Sequence, residues 1–182
     1  MADLICLIGR HGVGKSTLGQ ALARIGYAHL NLGLLRRLAI SGTYPGDIPI
    51  TLMLSIRTMR PSKPLSDDVV RKLLAHALSY DRCVIDGFPV LAAHLPLLPA
   101  AAKIAYVWAP AQSRNERLRS RAATTKRHWT PGLNSHRDTS LCKVLKHVRS
   151  NSNFYFVRNA HDAKEEINAL ANFMASLYIA PR

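Results

Sequence analysis

Residues 6–19 read "CLIGRHGVGKSTLG", and the reading of this stretch decides the fold. Gly9, Gly12, Gly14, Lys15 and Ser16 fit the spacing G-x-x-x-x-G-K-[ST]. Ahead of them, Leu4-Ile5-Cys6-Leu7-Ile8 is an apolar run suited to a buried parallel strand. Behind them, Thr17 to Ile25 reads as a helix with Leu18, Leu22 and Ile25 on one face. Glycines between a strand and a helix let the chain wrap tightly, so that backbone N–H groups from Gly9 through Arg10, His11 and Val13 to Thr17 turn towards an anion. Lys15 adds a positive charge where β- and γ-phosphates would lie, and the Ser16 hydroxyl is placed to ligate Mg²⁺.

Working outward, 182 residues with 48% hydrophobic content suit one globular domain, 1–182, with a proper core. No apolar run approaches bilayer length, and no basic-then-apolar leader precedes the loop, so no membrane partner is expected. Cys6, Cys83 and Cys142 lack metal-binding spacing and fit a reducing cytoplasm as small core fillers. Charge is the unusual property. The net is +14, with an isoelectric point near 10.4. Lys103 to Arg158 holds twelve Lys and Arg against Glu116 and Asp138 alone. Such an excess points to a polyanion, or to several phosphates, along that part of the surface.

The remainder alternates between strand and helix. "YAHLN" (27–31) predicts a second strand, and "LGLLRRLAI" (32–40) a helix ending near Ser41-Gly42. "IPITLMLSIRTM" (48–59) is a helix or an irregular apolar segment, and Ser66 ahead of Asp67-Asp68 is a capped helix start. "RCVIDGFP" (82–89) is a strand followed by a turn, and "KIAYVWAP" (103–110) another strand. Residues 111–121 predict a helix, 122–138 a polar loop without periodicity, and 138–150 a helix. "FYFVRN" (154–159) is a further strand, and an amphipathic helix spans 163–178. The alternation calls for a parallel sheet covered on both faces, with ligands bound beyond the strand C-termini.

The order of these motifs resembles the nucleoside monophosphate kinases, adenylate kinase in particular. "GRHGVGKST" is similar to that family's phosphate loop, and "LGLLRRLAISGT" to its first acceptor helix. "SKPLSDDVVRKLLAHAL…VIDGFP" is similar to its second acceptor segment and D-G-F-P motif, and "APAQSRNERLRSR" to the helix leading into its lid. The likeness runs from Leu4 to Arg121. It implies a three-layer α/β/α P-loop kinase fold with a parallel sheet, a helical acceptor-site insertion at about 31–65 and a short lid at about 122–137. It also implies ATP as donor, with Mg²⁺. Lys15 would hold the donor phosphates and Asp86 would orient Mg²⁺. Arg117 would stack on the donor base, and Arg121 would reach the transferred group. Gly33, Arg36 or Arg37, Leu65 and Gly87 would line the acceptor site. Adjacent arginines leave a helix in different directions, so one of Arg36 and Arg37 is expected to be merely solvated. Arg137 and Asp138 loosely echo the family's arginine–aspartate lid motif.

The pattern breaks in the acceptor half. The arginine that follows D-G-F-P in the family is Val90, the acid after the helix glycine is Leu34, and the adenine-reading glutamine aligns with His94. A neutral branched side chain does not replace a bidentate clamp, so adenosine monophosphate is a poor acceptor. Two kinase readings stay open. One is a kinase of free nucleoside or deoxynucleoside monophosphates, with Arg36 or Arg37 carrying the acceptor phosphate. The other, towards which the charge tips the balance, transfers to a hydroxyl carried on DNA, as do the phage P-loop kinases acting on hydroxymethyluracil that this chain resembles. Val90 and His94 would then line a pocket for a displaced base, with Trp129 and Tyr155 as candidate stacking residues. Against it stands the base: related hydroxyl kinases carry an acid where this chain has Asn31, leaving Asp86 to serve. A third reading, a non-catalytic nucleotide-binding basic module, sits poorly with intact Lys15, Ser16 and Asp86.

Overall fold

The computed structural model describes residues 2–59, 64–124, 135–159 and 164–176. The apolar run ahead of the phosphate loop forms strand β1 (Asp3–Ile8), buried along its whole length. The loop feeds α1 (Lys15–Arg24), then β2 (Ala28–Asn31), α2 (Leu32–Ser41), α3 (Ile50–Arg57) and α4 (Asp67–Ala77). There follow β3 (Arg82–Asp86), a 3₁₀ segment at Ala92–Leu97, β4 (Lys103–Trp108), α5 (Ala111–Thr124), α6 (Ser135–Val148), β5 (Phe154–Arg158) and α7 (Lys164–Ser176). The strands form a five-stranded sheet in the order β2-β3-β1-β4-β5. Every pairing is parallel. Among the described residues no helix is long and apolar enough to cross a membrane.

Because side chains alternate along a strand, the sheet buries two separate layers. On one face Ile5, Leu7, Val84 and Val107 pack against Leu18 and Leu22 of α1 and Ala171 and Met174 of α7. On the other, Leu4, Cys6, Ile8, Ile85 and Ile104 meet α2, α3, α4 and α6, through residues such as Leu35, Met53, Leu73 and Val144. Burial in this apolar layer raises the Cys6 thiol well above its ordinary value, with Cys83 adding to the rise. It pushes Cys83 up to about 12, so both behave as core fillers.

Three sequence expectations need adjusting. The polar loop is shorter than 122–138, because α5 runs to Thr124 and α6 begins at Ser135; Trp129 lies outside the described residues. Ser66 stands at the cap position of α4 without a side-chain capping bond; Asp67 and Asp68 supply the negative charge of the first turn. Lys103 does not belong to the basic surface. It is buried at the foot of β4, where its Nζ donates to Asp3 Oδ1 at 3.0 Å. Tyr27 Oη donates to the same carboxylate through Oδ2. A buried charge persists where it is paired and hydrogen-bonded, and this pair ties the starts of β1 and β4 at the end of the sheet away from the phosphate loop.

Candidate active site

The C-terminal ends of β1, β2 and β3 converge, because the parallel register sets Leu7 opposite Asp86 and Asn31 opposite Asp86 on its other side. A cavity of about 550 Å³ opens above these ends. Its floor is the phosphate loop, and the shape of that loop explains its glycines. Gly9, Gly12 and Gly14 have φ of 148°, 81° and 90°. A Cβ on Gly9 would fall 2.3 Å from the Val107 carbonyl oxygen, one on Gly12 2.9 Å from Leu118 Cγ, and one on Gly14 2.3 Å from Asn159 Nδ2. The loop is therefore wedged between the sheet and α5, with no room for side chains at those positions. Asn159, just beyond β5, fastens it by donating from Nδ2 to Val13 O at 2.8 Å. Val13 faces the core rather than the cavity; only its backbone belongs to the loop.

Lys15 Nζ lies along the loop, donating to Gly9 O at 2.8 Å and Arg10 O at 2.9 Å. Gly9, Arg10, His11, Gly12, Gly14, Lys15, Ser16 and Thr17 all line the cavity, as the motif predicts. Ser16 Oγ donates to Asp86 Oδ2 at 2.5 Å. Asn31 Nδ2 donates to the same oxygen at 2.8 Å and to Ser16 Oγ at 2.9 Å. Its own Oδ1 accepts from Leu34 N at 2.8 Å as the cap of α2, which fixes the amide orientation. A hydroxyl beside a carboxylate at the foot of a phosphate cradle is the hard-oxygen donor set that suits Mg²⁺ shared with a substrate phosphate. Among the described residues no cluster of His, Cys, Asp or Glu offers an all-protein metal site.

From α5, Arg117 and Arg121 both face the cavity, as their four-residue spacing predicts. Arg117 Nη1 reaches Gly12 O at 3.4 Å, while Leu118 packs on the loop between them. On the acceptor side Gly33, Leu65, Gly87 and Val90 line the wall together with Ile56 and Met59. Arg36 and Arg37 both line the cavity, which corrects the expectation that one is only solvated. Side chains of this length converge from adjacent positions when the helix end abuts the cavity. Arg37 Nη1 lies 3.6 Å from where a Gly33 Cβ would stand, an ordinary contact, so Arg37 folds back along Gly33.

His94 is a further correction. It is 1% exposed, stacked on Phe88 with centroids 5.6 Å apart, and does not reach the cavity. Leu91 N donates to its Nδ1 at 3.3 Å, so Nε2 carries the proton and donates to Leu65 O at 3.1 Å. His94 thus holds the backbone of two lining residues, Leu65 and Leu91. Burial lowers its pKa, against opposing pulls from the Leu65 bond and Asp67. Tyr155 is half-buried in β5 and does not face the cavity. The side chain of Arg137 lies outside the described residues. Its neighbour Asp138 lines the cavity and meets Arg10 Nε at 3.4 Å, linking α6 to the phosphate loop. Sequence reasoning missed the part played by Asn159, although a polar residue at a strand's C-terminal end is where such a sheet places its ligands.

This fold has counterparts among solved structures. A gluconokinase from Sinorhizobium meliloti 1021 matches with a TM-score of 0.56 at 21% identity, covering 97% of this chain and 95% of that one. The fold is that of the P-loop kinases. A sugar kinase from Janibacter sp. HTCC2649 gives a TM-score of 0.58 at 18% identity, over 100% of this chain and 97% of that one. A shikimate kinase from Acinetobacter baumannii in complex with shikimate gives 0.56 at 16%, over 99% and 97%. No family model and no curated protein matches the sequence. The adenylate-kinase resemblance is thus shown as far as the P-loop kinase fold that it implied.

Proposed function

We propose that the protein is an ATP-dependent phosphotransferase whose acceptor oxygen is already ionised, as on a free nucleoside or deoxynucleoside monophosphate. The observation that carries this reading is the Asn31 amide. A hydroxyl acceptor needs a base within reach. The position beside Asp86 that would supply one holds an amide whose N–H groups face the site. Among the described residues the cavity's carboxylates are Asp86 and Asp138. Asp86 accepts from Ser16 and Asn31, and Asp138 is paired with Arg10. A phosphate oxygen needs no such base, and Arg36 and Arg37 together offer the anion contact that Val90 no longer provides. Ile56, Met59, Leu65 and Val90 supply an apolar wall for a base. Of the acceptors open from the sequence, this favours the free nucleotide over a hydroxyl on DNA.

In this reading the loop amides and Lys15 hold the donor phosphates, with Ser16 and Asp86 as the residues that would hold Mg²⁺. The ion would supply neutralisation of phosphate charge. Arg121 faces the transferred group and offsets charge on its oxygens, with Arg117 beside the donor base. The bond from the γ-phosphorus to the ADP oxygen breaks as one forms from the acceptor phosphate oxygen, and no proton need leave.

The test is γ-labelled ATP with Mg²⁺ against a panel of nucleoside monophosphates, nucleosides, sugars and hydroxymethylated DNA. Label on a monophosphate is expected, with its KM raised at least tenfold by Arg36→Ala or Arg37→Ala. Label confined to a hydroxyl on any panel member overturns the acceptor, and failure to bind or consume ATP overturns the whole reading.

A further inference from the structure

Strand β5 is an edge of the sheet, and its outward residues are not those of a protected edge. Such strands are ordinarily short, charged or covered. Here Phe156 is 60% exposed. The β4–β5 register sets Tyr106 opposite Phe156 and Trp108 opposite Arg158, so these four side chains share one face. The Tyr106 and Phe156 rings meet edge-on, with centroids 5.8 Å apart. Those of Trp108 and Phe156 are tilted by 33° at 6.3 Å. The Arg158 guanidinium lies 5.8 Å from the Trp108 centroid. The result is an aromatic strip closed by a cation and open to solvent.

Among the described residues, the helix on its side of the sheet adds positive charge. Ile104, Tyr106 and Phe154 pack in the same core layer as Val144, Leu145 and Val148 of α6, so α6 lies on the strip's side of the sheet. The exposed positions of that helix and of the turn after it include Lys143, Lys146 and Arg149. Between Lys103 and Arg158 the acids are Glu116 and Asp138, and Asp138 is paired with Arg10.

We infer that this strip is a stacking platform for single-stranded nucleic acid, with the bases on Trp108 and Phe156 and the backbone phosphates along Arg158 and α6. Rings that offer a face to any base, flanked by cations that follow a phosphate chain, are the recurring chemistry of sequence-tolerant strand binding. A second copy of the chain is a poor occupant, because two surfaces on molecules of net charge +14 repel. None of the four strip residues lines the phosphate-loop cavity, and the inference stands whether or not the proposed phosphoryl transfer does.

The test is fluorescence anisotropy of a labelled 20-nucleotide oligo-dT or oligo-U strand with the full chain. Binding at 50 mM salt that weakens steeply by 200 mM is expected. Phe156→Ser should weaken it about 5- to 160-fold, the range for loss of one stacked base. Lys143→Glu with Lys146→Glu should flatten the salt dependence. Phosphoryl transfer to free acceptors should be unchanged in Phe156→Ser, which separates this inference from the proposed reaction. No retention at 50 mM salt, or equal affinity in Phe156→Ser with native thermal stability, overturns it. So does a concentration-dependent dimer that Phe156→Ser abolishes, since the strip would then be a contact between copies.

Discussion

Asn31→Asp changes one atom's chemistry at the centre of the site and leaves its shape alone. The carboxylate keeps the oxygen that caps Leu34 N, so α2 retains its start. What changes is the other oxygen, which replaces an N–H donor at 2.8 Å from Asp86 Oδ2 and 2.9 Å from Ser16 Oγ. Two unit charges at that separation repel by about 6 kcal/mol at an effective dielectric constant of about 20. Asp86 is 4% exposed, whereas Asn31 borders the open cavity, so solvent screens part of this. Adding the lost charge-assisted hydrogen bond, the variant should be destabilised by about 2–4 kcal/mol at pH 7.5. For a chain of this size that lowers Tm by roughly 4–16 °C. Mg²⁺ at pH 7.5 should recover most of the loss, because the ion binds the paired carboxylates of the folded chain. Thermal denaturation of Asn31→Asp and Asn31→Ala, with and without Mg²⁺, reads all of this. A Tm for Asn31→Asp within 2 °C of wild type, unmoved by Mg²⁺, would mean that the amide does not face Asp86, and the argument for an ionised acceptor would fall with it.

Gly14→Ala should cost about 2–3 kcal/mol and abolish nucleotide binding, because φ of 90° strains any Cβ and the methyl displaces Asn159 from Val13 O. Asn159→Ala in the same chain should recover part of the stability; strict additivity in a double-mutant cycle would refute the wedge. His94 titrates below its ordinary value, so the unfolded chain binds more protons just below pH 6.5. Stability should therefore hold above that pH and fall as the pH drops towards the native value. His94→Gln should flatten the fall of Tm between pH 7 and pH 5, and an unaltered profile would refute it. Of the three thiols only exposed Cys142 should react rapidly with a disulfide reagent in the native protein, and all three after denaturation.

The donor half was legible because it depends on local geometry. A strand, a glycine turn and a lysine at fixed spacing dictate the cradle from residues 4 to 25 without help from elsewhere. Arg117 and Arg121 came from the family resemblance, and their four-residue spacing placed both on one helix face. The acceptor half was legible only in part: Gly33, Leu65, Gly87 and Val90 line the cavity as expected, but other residues are placed only by tertiary packing. His94 aligned with a base-reading position yet is drawn into the core by Phe88 and the Leu65 carbonyl. Lys103 read as surface charge because its partner, Asp3, lies a hundred residues earlier. Asn31 read as a missing acid, and only the register of β2 against β3 reveals it as a donor aimed at Asp86.

The first strand of the chain lies in the middle of the sheet, and its neighbours β3 and β4 begin at Arg82 and Lys103. During synthesis the strand that leads into the phosphate cradle must therefore wait unpaired until about eighty further residues have left the ribosome. Such long-range pairing makes for slow folding and a window of aggregation, so translation speed and holdase chaperones should govern the yield of this protein more than its final stability does.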